Sequence, residues 1–316
     1  MNHKRFFLRL IIILVLLLAA PLVLPKYYGQ LLTEILIWGI LAMALDLILG
    51  YIGIISFGHA ALFGLGGYGA AISFVKFGSG LWLALAVGLL VPVVFAIGVG
   101  GLSLYIKGAY FTIITLVAAE IVHTIFLSFP IFGGENGLNF DVPMLNLGFF
   151  RISLAEPVHY YYFVVFFFLL SYFICRRITQ SPMGKVFQAL KDNEERAKAI
   201  GYDVRIYKIV AFVISGFFSG LSGILYVILQ RYANPDFLHF IISGEAVIWT
   251  LIGGMGTLVG PVIGTAFVIL LGDLLSTWMK NHLVVIGLIF IIAVIFLPKG
   301  IVGTIRNRWL LSKSRD

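Results

Sequence analysis

The feature that most constrains this chain is a succession of apolar runs, from Leu31 to Leu297, with few polar breaks. A run of about 20 apolar residues crosses a hydrocarbon layer of about 30 Å as a helix. The runs are continuous and do not alternate, which argues against a membrane β-barrel. Charged residues make up 11% of the chain and hydrophobic ones 61%. A soluble globular surface carries about 25% charged residues, so this chain cannot cover one. The expected class is an all-α polytopic membrane protein with about eight to ten spans.

The runs lie at about 31–50, 54–76, 81–105, 109–128, 158–175 and 208–229. Between 244 and 298 the pattern is interrupted by Gly253, Gly254, Gly256, Gly260 and Pro261. That stretch reads as a short helix at about 244–255 and spans near 258–278 and 282–298. The N-terminus, MNHKRFFLRL followed by IIILVLLLAAP, fits either a cleavable signal peptide or a retained first helix. Retention is preferred, because polytopic proteins insert by their first span.

Loop charges orient the spans. Residues 176–208 carry eight Lys or Arg against four acids, which places that loop in the cytoplasm. Residues 129–157 hold Glu135, Asp141 and Glu156 against Arg151 alone and read as an external loop. The tail, with Arg306, Arg308, Lys313 and Arg315, reads as cytoplasmic, as does the N-terminus. Parity then allows ten spans, or eight with a re-entrant loop. The net charge of +8 is the excess expected of cytoplasmic loops. No soluble basic face with interleaved aromatics points to nucleic acid. The single cysteine, Cys175, excludes an internal disulfide and reads as buried packing.

One polar stretch stands out, QSPMGKVFQALKDNEERAKAIG, residues 180–201. Ser181 suits an N-cap, Pro182 the first helical position and Gly201 the residue past the C-terminus. Phe187, Leu190, Ala197 and Ile200 recur at helical spacing. Asp192 with Arg196, and Glu194 with Lys198, stand four apart in the favourable order. A lipid-binding helix is usually strongly cationic. Mixed charge signs favour a protein partner.

The second stretch is GYIGIISFGHAALFGLGGYGAA, residues 50–71, with Ser56 and His59 among small residues. Small residues permit close helix packing. Broken helices with exposed backbone form transporter midplane sites, and an intramembrane ionisable residue is a functional candidate by default. Gly216 with Gly220, and Gly256, Gly260 and Gly264, form G-x-x-x-G steps that read as packing seams, a dimer interface being one use. Asp46, Glu120, His123, Glu245 and Asp273 are the other ionisable residues in or near spans. Glu120 and His123 can share a helical face, as a polar packing pair or a proton relay. No two of the six histidines have metal-ligand spacing with a third ligand nearby, so no metal site is expected. Gly64, Gly66 and Gly69 satisfy G-x-G-x-x-G, but without the preceding strand a dinucleotide turn needs. There is no P-loop motif and no paired catalytic set, so the chain is not expected to be an enzyme.

These stretches, with LIGGMGTLVGPVIG and the terminal FLPKGIVG, resemble the permease subunits of branched-chain amino-acid ABC importers, the LivM-like family. The resemblance covers roughly residues 30–303. It implies a single transmembrane permease domain over 1–316, similar to the vitamin B12 importer's permease, with ten spans. It implies an external loop at 129–157 and a cytoplasmic coupling loop at 179–207. Gly184, Ala189, Asp192, Glu194, Ala197 and Gly201 would serve ATPase coupling. Ser56, Gly58, His59, Gly254 and Gly256 would line the substrate pathway. The implied partners are ATPase subunits that bind the ATP, a sister permease in a hetero-dimer, a periplasmic or lipid-anchored binding protein and membrane lipid. No cofactor is expected in this chain. The implied place is the inner membrane and the implied cargo a branched-chain or other hydrophobic amino acid. Ile54 stands where such permeases often have Gln, and Asp46 where Asn is common. Related permeases carry urea, short amides or sugars. A proton-coupled secondary transporter relaying through Glu120, His123 or Asp46 is the reading from a different class.

Overall fold

The computed structural model describes residues 15–102, 108–142, 144–146, 151–279, 281–296 and 299–304. The charged N-terminal residues and the basic tail, on which part of the orientation argument rests, lie outside the described residues. Residues 15–23 form α1, which docks on α6 through hydroxyl bonds from Tyr161 to the Leu17 carbonyl and Tyr162 to the Leu18 carbonyl.

The long helices are α2 (Lys26–Leu49), α3 (His59–Phe77), α4 (Leu81–Leu102), α5 (Ala109–Ser128), α6 (Pro157–Gln180), α9 (Val204–Gln230) and α11 (Val259–Trp278). All seven are long and apolar enough to cross a membrane. Two shorter apolar helices, α10 (Phe240–Gly253) and α12 (His282–Phe296), flank α11. The polar stretch forms α7 (Pro182–Asp192) and α8 (Glu194–Ala199). Helix α2 begins earlier than its apolar run, because Lys26, Tyr27 and Tyr28 extend it. Such residues sit well at a membrane interface.

Helices α2, α3 and α9 form the centre, and α4, α5, α6 and α11 surround them with large apolar side chains exposed, among them Leu90, Ile113, Phe166 and Leu274. A helix that is apolar all round belongs in lipid or in a core. The centre is tight because glycines face one another. A Cβ on Gly66 would overlap the Gly220 backbone, one on Gly223 the Phe63 carbonyl, and one on Gly220 the Pro92 ring. Gly260 and Gly264 meet the backbone of Gly253 and Trp249 in the α10–α11 pair. The G-x-x-x-G steps are therefore consumed within the chain. Trp38 of α2 stacks on Phe63 of α3 and packs against Tyr226 and Trp249, joining four helices. Cys175 is buried.

The segment 129–157 is folded rather than a plain loop. Two 3-10 turns, Pro130–Phe132 and Gly134–Asn136, lead to β1 (Leu138–Asn139), which pairs antiparallel with β4 (Tyr232–Ala233) beyond α9. Strands β2 (Met144–Asn146) and β3 (Arg151–Ser153) make a second antiparallel pair.

Candidate functional site

The polar stretch caps as its residues dictate. The Ser181 hydroxyl accepts from Gly184 N–H, and Pro182 opens α7. Gly184 sits where a Cβ would overlap the Thr179 backbone. At the far end Gly201 has φ +96° and donates to Lys198 O at 3.0 Å, while Tyr202 N–H donates to Ala197 O at 3.2 Å. These bonds form a Schellman closure, which favours glycine at that position.

Three details differ from the sequence reading. The stretch is not one helix. Asn193 leaves the helical region at φ −165°, ψ 106° and caps α8 by accepting from Arg196 N–H at 2.9 Å. Asp192 and Arg196 therefore lie on different helices. Glu194, half-buried, pairs with Lys208 of α9 at 2.7 Å and not with Lys198. Phe187, Leu190 and Ala197 are buried as expected, but Ile200 is 67% exposed. It follows the end of α8 and faces outward near exposed Tyr202. Ala189 is half-buried, and Asp192 and Gly201 are exposed.

The underside of α7 meets the base of the second stretch. Lys191 Nζ donates to Gly50 O at 2.7 Å. Gly53, at φ +84°, lies so close that a Cβ there would stand 3.0 Å from Lys191 Cγ. Beside it, the Asp46 carboxylate accepts from Gly256 N–H at 2.7 Å and Leu258 N–H at 3.1 Å. Asp46 is fully buried and thus clamps the α10–α11 turn to the end of α2. Gly254, at φ +115°, packs that turn against Lys299, Gly300 and Gly303.

From this junction the chain does not return as a helix. Residues 51–58 are non-helical, and α3 starts at His59 rather than near 54. His59 Nε2 and Ser215 Oγ are 2.6 Å apart, and Ser215 Oγ donates to Ala44 O at 2.5 Å. Ser215 lies roughly 16 Å along α9 from its start at 1.5 Å per residue. Ser243 Oγ accepts from Ala60 N–H and donates to Phe57 O, each at 2.7 Å, about 15 Å along α10 from the Gly254 turn. Measured along α2 from Gly50 to Ala44 the rise is about 9 Å, and along α10 about 15 Å, so the unwound segment climbs roughly a third to a half of a bilayer's depth. Its backbone is met by side chains. Phe57 N–H donates to Thr115 Oγ1 at 3.1 Å, Thr112 Oγ1 donates to Ile55 O at 2.9 Å, and Gly58 N–H donates to Ser56 Oγ at 3.2 Å. Irregular backbone at this depth is tolerated only where protein or a cavity supplies such partners. The Ser215 proton goes to Ala44 O, and the other ring nitrogen of His59, Nδ1, is buried, with the Ser56 backbone beside the ring.

The five pathway candidates thus divide. Ser56, Gly58 and His59 sit together at mid-depth, while Gly254 and Gly256 belong to the junction at the α7 end. The helix break lies before the glycine run and not inside it, and Gly64 to Gly69 serve packing. Thr112, Thr115, Ser215, Ser243 and Lys191 went unread in the sequence. Each looks there like an isolated polar residue, and the groups they bond lie far away along the chain. Ile54 lines a small cleft with Ile48, Ile52, Phe111, Phe212 and Lys208. Tyr27 and Asp273 bond to each other, between α2 and α11.

The family described as the branched-chain amino acid transport system / permease component matches residues 27–294. The chain is 25% identical to the high-affinity branched-chain amino acid transport system permease protein LivM of Escherichia coli over 319 residues, covering 94% of this chain and 75% of that one. The Salmonella typhimurium protein of the same name is also 25% identical, covering 99% of this chain and 78% of its own length. Ribose import permease protein RbsC of Haemophilus influenzae is 26% identical over 136 residues, covering 40% of this chain and 41% of the relative. No solved structure gives a significant match. The matched span takes in the α7–α8 stretch, the Asp46 junction and the unwound segment alike, and the chain belongs to the family of permease components of branched-chain amino acid transport systems.

Proposed function

We propose that this chain is a permease subunit of an ABC importer that moves branched-chain or other hydrophobic amino acids across the inner membrane, driven by separate ATPase subunits. Helices α1 to α6 and α9 to α12 supply ten crossings, with both termini cytoplasmic, in a fold of the vitamin B12 importer type. Residues 179–207 form the coupling loop and 129–157 the external loop. A sister permease and a periplasmic or lipid-anchored binding protein complete the assembly.

The observation that carries this reading is the bond from Lys191 Nζ to Gly50 O. It links the polar helix pair, whose outer face mixes charge with exposed Ile200, to the foot of the unwound segment ending at His59. An ATPase that pulls on α7 and α8 would shift that segment directly. A ligand or partner moves a two-state element only through contacts that differ between its states. On this reading the Lys191 bond and the Asp46 clamp hold in one state and give way in the other. Of the coupling residues, Ala189, Asp192 and Gly201 would face the ATPase, while Gly184, Glu194 and Ala197 would hold the helix pair to the membrane helices. Ser56, Gly58 and His59 would meet substrate.

The test is uptake by proteoliposomes holding the whole assembly. ATP-dependent uptake of leucine, isoleucine or valine supports the proposal. Uptake of ribose or urea in their place replaces the substrate class, a reading that the likeness to a ribose permease favours. Uptake abolished by a protonophore and indifferent to ATP would replace the mechanism with proton coupling. For such coupling, Asp46 is poorly placed, since both its oxygens are engaged by backbone N–H groups.

A further inference from the structure

Away from the α7 end, the fold assembles a donor cluster that the sequence spacing hides. Glu120 and His123 of α5 meet His239, which precedes α10, and Asp236 of the 3-10 turn Pro235–Leu238. One ligating atom each from Glu120, His123 and His239 lies within 4.8 Å of the other two. His123 Nδ1 is 3.4 Å from Glu120 Oε1, and His239 Nε2 is 3.9 Å from Glu120 Oε2. The first of these is long for a charged hydrogen bond. It matches the roughly 3.3 Å that separates two donors each about 2.0–2.1 Å from a tetrahedral ion. Glu120 Oε2 and His123 Nε2 are buried and have no hydrogen-bond partner among the described residues. Buried polar atoms are rarely left so.

We propose that Glu120, His123 and His239 form a binding site for one borderline divalent cation of the Zn2+ type. Two imidazoles and one carboxylate are the donors such an ion takes, whereas Ca2+ and Mg2+ ask for oxygen. His123 ligates through Nδ1. Its Nε2–H then points at Asp236 Oδ1, now 3.9 Å away, in the carboxylate–histidine–metal order that orients a ligand ring. His239 ligates through Nε2. Its proton then sits on Nδ1, and the 3.4 Å bond that Nδ1 accepts from Ile241 N–H is given up. Asp236 is exposed beside the three donors, so an ion, and a water at its fourth position, can reach them from that side rather than across the apolar outer face of α5. The bound ion ties α5 to the turn before α10, at the opposite end of α10 from the Gly254 turn. This site does not depend on what the permease carries.

The test uses the full chain, without an affinity tag, in detergent. Titration with Co2+ should give the ligand-field spectrum of a four-coordinate site, and elemental analysis after Zn2+ loading should give one equivalent. His239→Asn keeps a side chain able to cap α10, and it should lower affinity at least tenfold, as should His123→Gln. Asp236→Asn, which touches only the outer partner, should lower it about 10–100-fold. His159→Ala should change nothing, since His159 lies in contact with Ser153 O. On the unsubstituted protein, Zn2+ should protect His123 and His239 from diethylpyrocarbonate and leave His159 reactive. The absence of a bound ion, affinity unchanged in both histidine variants, or protection that does not distinguish the three histidines would overturn the proposal.

Discussion

At the scale of single residues, the account turns on groups that look ordinary in the sequence. Asp46 is the clearest. As an acid inside an apolar run it reads as a candidate proton relay. In the fold its two oxygens hold Gly256 and Leu258 by their N–H groups. Asp46→Leu should leave both donors unmatched, at about 1–3 kcal/mol each. Asp46→Asn keeps one acceptor and should fall between. Thermal unfolding of the detergent-solubilised protein checks this, and a leucine variant as stable as the parent would show that the clamp contributes nothing. Caps were legible because they are local: Ser181, Pro182 and Gly201 each act within a few residues. Lys191 to Gly50 and His59 to Ser215 were not, because no rule of spacing connects positions separated by 141 and 156 residues.

At the scale of elements, hydrophobic runs located the helices well, with α5 at Ala109–Ser128 as expected. They failed where apolar residues are not helical. Ile54 and Ile55 extend the run before His59 without being part of α3, because their backbone partners come from neighbouring helices. They also missed the Asn193 break, since a short polar helix pair keeps nearly the same pattern as one helix. The glycine seam between α3 and α9 makes a sharper expectation. In an exposed helix, Gly→Ala gains about 1 kcal/mol. At Gly223 the added methyl meets the Phe63 carbonyl, so Gly223→Ala should instead lower the unfolding temperature and the yield of monodisperse protein. An unchanged or higher unfolding temperature would mean that the helices are not this close.

At the scale of the whole molecule, the chain is a central trio of helices with an unwound strut beside it. The strut is anchored at its foot to α7 by Lys191 and at its head to α9 and α10 by His59 and Ser243. Membrane class and the polar helical stretch at 180–201 were legible from composition and pattern alone. The strut was legible only as a glycine-rich oddity, because its path depends on hydroxyls from three other helices. Under the proposed coupling, force enters through α7 and reaches the strut through Lys191. The most direct measurement is ATP hydrolysis and amino-acid uptake in parallel, in proteoliposomes of the full assembly carrying Lys191→Met. Methionine keeps an apolar stem but cannot donate to Gly50 O. Hydrolysis should stay within about twofold of the parent while uptake falls about tenfold or more, the scale of 1.4 kcal/mol in coupling. Uptake that stays in step with hydrolysis at the parent's level would contradict it.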